Sequence, residues 1–152
     1  MGKEKIQSNK SKSLVSGLSI LKTPAKGADD LFHISFKHLD KTQGQSFHEW
    51  ETEGLLADAL ITLHNYSHSS IQSQLNDKFT CYGDFPPPAK TDFTHPRHVP
   101  DDAKWARIHV NGKQVIAGHI FKNTFYIVFL DRDHRFWISE KKHPQQHRAI
   151  CF

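Results

Sequence analysis

Cysteine is scarce in this chain, and long apolar runs are missing. Its 152 residues hold two cysteines, Cys81 and Cys151, far apart and without metal-type pairing. That indicates neither a disulfide framework nor a zinc ribbon, and leaves free thiols as the simplest reading. No stretch nears the roughly 18 consecutive apolar residues of a membrane span, and the start, Met1 to Ile6, lacks the apolar run of a secretory signal. A cytoplasmic address is therefore expected. The glycine-rich phosphate loop, the serine-centred elbow and the paired-carboxylate signature are also missing, which argues against nucleotide hydrolysis and serine-hydrolase chemistry.

What is present suffices for one core: 37% of the residues are hydrophobic, among them 11 Phe, 3 Trp and 3 Tyr. A single α+β domain is expected over residues 28–143, after a disordered basic arm at 1–27 and before a C-terminal tail at 144–152. Charge is polarised along the chain. Residues 1–26 carry six Lys against one Glu, residues 27–94 four basic against ten acidic groups, and residues 95–152 ten basic against five acidic. The basic C-terminal third suits a polyanionic partner.

Leu31 to Leu39 alternates as a first strand. Ser46, with Glu49 three residues on, forms the capping-box pattern that starts a helix, and Phe47, Trp50, Leu56, Ala59, Leu60 and Leu63 fall on one helical face. Gly54 is placed to divide that helix, and a shorter one is expected around Ser70 to Leu75. Tyr82 to Asp102 holds five of the seven prolines, which predicts an extended connection. Four strands then form an antiparallel meander: Lys104–Val110, Lys113–Phe121, Thr124–Asp131 and His134–Ser139. Turns are expected at Asn111-Gly112, Lys122-Asn123 and Arg132-Asp133.

Counting outward from those turns puts Ile116, Ile120, Phe125, Ile127, Phe129, Phe136 and Ile138 on a core face beneath the helix. The opposite face collects Lys113, Val115, Ala117, His119, Tyr126, Val128, Arg135, Trp137 and Ser139, and is expected to meet solvent. His119 lies directly across from Tyr126. Cations that hold phosphate, aromatics that stack on bases and a His or Tyr that moves a proton make that face a candidate RNA surface. The plainer reading is a sheet face that carries aromatics without chemistry. Arg107 and His109 count to the core side, and a one-residue bulge would move them across. His64/His68, His95/His98 and His143/His147 have ligand-like spacings but no companion ligands, so solvated histidines are the expectation and no metal or other cofactor is assigned.

Strand, helix, long connection and antiparallel strands in this order resemble the RelE/ParE-type toxins, small mRNA interferases of bacterial toxin–antitoxin systems. The resemblance runs from Leu31 to His143 and is carried by Ala106 to Ile120, then Thr124 to Asp131 and Arg135. It implies a metal-independent endoribonuclease, a hydrolase-like RNA-binding protein in which the ribose 2′-hydroxyl attacks. It also implies ribosome-bound mRNA as substrate and a cognate antitoxin as partner. By position, His119, Tyr126 and Arg135 would be catalytic, with Lys113, Trp137, Lys141, Lys142, Arg107 and His109 binding RNA. Greater length, the proline-rich insertion and the basic arm depart from that family. The other expectation is a non-catalytic nucleic-acid- or protein-binding accessory protein of a mobile-element or defence locus.

Overall fold

The computed structural model describes residues 30–139. The expected arm, the tail, and Lys141, Lys142, His143, His147 and Cys151 lie outside them. The fold is α+β. A five-stranded sheet is built from β1 (His33–Ser35), β2 (Phe79–Gly83), β3 (Lys104–Asn111), β4 (Gln114–Phe121) and β5 (Thr124–Asp131) in the order β1-β5-β4-β3-β2. β1 runs parallel to β5, and the other four strands form an antiparallel meander.

The meander thus has four strands, but its fourth member is β2 and not His134–Ser139. After Asp131 the chain turns with His134 at φ +59°, and no further strand follows among the described residues. The reason is local: the buried Asp131 carboxylate accepts the backbone N–H groups of Arg135 (3.0 Å) and Phe136 (2.8 Å), which curls the segment back on itself. β2 was concealed by the proline-rich text that follows it.

Three helices cross one face: α1 (Phe47–Thr52), α2 (Leu56–Tyr66) and α3 (Ile71–Gln74). Ser46 and Glu49 complete the capping box in both directions, and Ser70 caps α3. Gly54, at φ +73°, separates α1 from α2. Trp50, Ala59, Leu63 and Ile71 pack with Phe32, Phe79, Ile108, Ile116, Ile120, Phe125, Ile127 and Leu130 in the helix-side core, whereas Leu60 faces outward, half exposed. Cys81 belongs to this core and is disulfide-bonded, which corrects the free-thiol reading for that residue.

Two bulges alter the counted register. Ala117 pairs with Phe129 and Gly118 with Ile127, so Val128 is an extra residue and every β5 residue beyond it changes side. Phe129 therefore leaves the helix-side core and Leu130 enters it. In β3, His109 pairs with Val115 and Asn111 with Gln114, so Val110 is extra and Arg107 and His109 share the face of His119. The first turn is Gly112-Lys113, with Gly112 at φ +54°.

The second face is not open to solvent. A second core of Val99, Trp105, Ala117, Val128, Phe129 and Phe136 fills it, roofed by the proline-rich segment through Phe85 and Phe93. Phe85 meets Trp105 edge-on at 4.8 Å and Phe93 lies 4.5 Å from Phe129. Backbone bonds fasten the roof: Asp92 N–H to Arg135 C=O at 3.1 Å and Ile138 N–H to Lys90 C=O at 2.8 Å.

Candidate functional site

The expected cross-strand pair is present. His119 and Tyr126 oppose one another beside the Phe121–Thr124 turn, their rings parallel within 2° and 4.8 Å apart. Both lie two residues from the turn and ahead of the Val128 bulge, so counting from the turn places them correctly.

A third ring completes the cluster. The chain leaves β1 through a turn closed by Leu39 N–H on Phe36 C=O, and Asp40 N–H then bonds the carbonyl of the bulge residue Val128 at 2.9 Å. That anchorage stacks His38 at 4.9 Å from Tyr126 and 5.1 Å from His119. His38 Nδ1 and His119 Nε2 share a hydrogen bond of 2.8 Å. His98 Nε2 bonds the His38 carbonyl at 2.8 Å and steadies the turn from the roof. Nothing in the local pattern around His38 announced this role, because it arises from a contact 81 residues distant in the chain.

These rings line a cavity of about 380 Å³, walled otherwise by Pro100, Asp102, Ala103, Lys104, Ile120 and Phe121. His119 sits at its base, 3% exposed, while His38 and Tyr126 are half-buried. Burial, then the neighbouring His38 and His95, pushes the His119 pKa down to about 4. His38 is lowered as well, by burial and then by Lys37 and His98. Both imidazoles are consequently neutral at pH 7, one donating to the other, and the donating ring keeps its second nitrogen free to accept a proton. Phe121 stands 61% exposed at the rim, with the Lys122 ammonium 5.5 Å from its ring centre.

Other sequence-derived candidates lie elsewhere. Arg135 pairs with Asp92 at 2.5 Å on the surface, Lys113 is in the exposed first turn, and Trp137 stacks on Tyr82 at 4.2 Å, so none of them walls the cavity. The absence of a strand at His134–Ser139 is the physical reason for Arg135 and Trp137, since their expected row required it. Arg107 and His109 gather with His134 further along the same face. His64, in the last turn of α2, and His68, just beyond its end, approach each other at 3.3 Å without a third ligand, and among the described residues no group of three or more His, Cys, Asp or Glu is arranged to hold a metal.

No protein-family model, no curated protein and no solved structure matches this chain. No helix among the described residues is long and apolar enough to cross a membrane.

Proposed function

We propose that the chain binds RNA at the His38–His119–Tyr126 cavity and cleaves it without a metal, in the manner of a toxin-type endoribonuclease. The observation that carries this reading is the 2.8 Å hydrogen bond between two neutral imidazoles with a phenol stacked against both. Such a set can take one proton and give another, which is what transesterification by a ribose hydroxyl requires. His38, the more accessible imidazole, accepts the 2′-hydroxyl proton as that oxygen bonds to phosphorus. Tyr126 donates its phenolic proton to the departing 5′-oxygen, leaving a cyclic phosphate and a 5′-hydroxyl. His119 holds His38 in orientation and spreads the charge it acquires. Lys104 offsets the charge on the phosphorane, and Phe121 offers a face for an adjacent base. Arg135 has no part in this version of the site. A cytoplasmic address belongs to the same proposal, and the disulfide at Cys81 pulls against it, because reducing compartments keep thiols reduced.

Incubating the purified chain with labelled single-stranded RNA tests the reading. His38→Ala and His119→Asn should each lower the cleavage rate about 100-fold while the fold, followed by circular dichroism, persists. Full cleavage by both variants overturns the assignment.

A second reading is favoured by one observation, the 3% exposure of His119. A ring that deep suits a non-catalytic binding module whose aromatic cluster shapes a pocket. RNA retention that falls steeply with salt, with no cleavage product, would select it.

A further inference from the structure

At the far end of the face that carries His119, a second cluster surrounds Arg107. Its side chain is only 9% exposed, yet among the described residues no carboxylate lies within ion-pair distance of it. One guanidinium nitrogen, Nη1, donates to Nε2 of His134, while the buried Nε–H has no partner. The guanidinium also lies 5.9 Å from the Tyr82 ring and reaches toward its buried hydroxyl, whose only polar neighbour on this face is that cation. His109 and His134 stand with ring centres 6.3 Å apart beside it. Asp131 is the acid that acts on His134, and its two oxygens accept the backbone N–H groups of Arg135 and Phe136.

A guanidinium has five N–H donors and keeps its charge at any pH in which the fold survives. Burying it without an anion is costly, and each unmet donor adds to that cost. Two imidazoles, a phenol and an uncompensated cation together lack one thing, an oxyanion with several acceptor oxygens. We propose that Arg107, His109 and the Tyr82 hydroxyl form a binding site for a phosphate group, with His134 holding the guanidinium in place. Burial and the Arg107 charge keep both histidines neutral in its absence, and an arriving anion reverses the second of those effects. The site is separate from the His38–His119–Tyr126 cavity and does not depend on the cleavage reading.

Calorimetry and thermal melting of the full chain with inorganic phosphate, against chloride at matched ionic strength, test the proposal. Phosphate should bind saturably and raise the melting temperature, and Arg107→Met should abolish both effects. His109→Gln should weaken binding about tenfold, the worth of one hydrogen bond to an anion, and serves as the test should Arg107→Met fail to fold. Phosphate binding that survives Arg107→Met would place the anion in the His38–His119–Tyr126 cavity instead and overturn the proposal. Displacement of phosphate by a short single-stranded RNA would assign the site to a backbone phosphate, and failure to displace it to a small phosphorylated ligand. No saturable binding above the chloride control, or unchanged binding in both Arg107→Met and His109→Gln, overturns the proposal.

Discussion

The two faces of the sheet are buried by different means, and their compositions differ accordingly. Helices cover one face, and a helix satisfies its own backbone, so it can present a nearly apolar surface to Ile108, Ile116, Ile120 and Ile127. An extended proline-rich roof covers the other, and an extended segment brings backbone amides and carbonyls that need partners. Polar groups answer that need: Gln43 bonds both backbone groups of Thr94, and Arg135 C=O receives Asp92 N–H. His119, Arg107 and Asp131 are buried on this face, where an irregular cover leaves room for pockets. Buried His119, Arg107 and Asp131 thus lie where the cover is a loop.

The largest expected effect separates the two covers directly. Phe136→Ala and Trp50→Ala should each cost about 4 kcal/mol, as deletion of a fully buried aromatic does. Hydrogen exchange should then differ. Phe136→Ala should expose amides of residues 85–103 while the helices stay protected, and Trp50→Ala should do the reverse. Equal exposure of both covers in either variant would show that the faces form one cooperative unit.

Acid should attack the roofed face next. His119 has a folded pKa of about 4, below its ordinary value of 6.5, so the unfolded chain binds the extra proton between those limits. Stability is then fully present above pH 6.5 and is lost as pH falls toward 4, by on the order of 3 kcal/mol. His38, lowered by burial, acts in the same direction. Denaturant titrations from pH 8 to 4 should show this slope, and His119→Gln should flatten it. An unchanged slope in the variant would assign the loss to other groups.

The smallest effect concerns Arg135, exposed and paired with the equally exposed Asp92. Arg135→Ala should leave the melting temperature and the RNA cleavage rate unchanged, because solvent screens such pairs. A fall in cleavage comparable to that of His38→Ala would restore Arg135 to the site and blur the distinction between roof and cavity.

Much of this architecture was legible in local signals. The capping box at Ser46 and Glu49, the break at Gly54, the short helix from about Ser70 and the turn at Lys122-Asn123 each rest on residues a few positions apart. The pairing of His119 with Tyr126 was legible for the same reason. Counting fails at bulges: the extra Val110 beside the first turn put Arg107 and His109 on the other face, and the extra Val128 reverses every later β5 side chain, which is how Phe129 changed faces.

By itself, then, the sequence determined the α+β class, the helix starts, the β4–β5 hairpin and the two rings opposed across it, because these follow from short-range sterics and hydrogen bonding. Only the tertiary structure decided that the proline-rich segment roofs the second face, that the chain after Asp131 folds back without becoming a strand, and that His38 joins His119. Those outcomes depend on contacts between residues dozens of positions apart, whose energies no local pattern encodes.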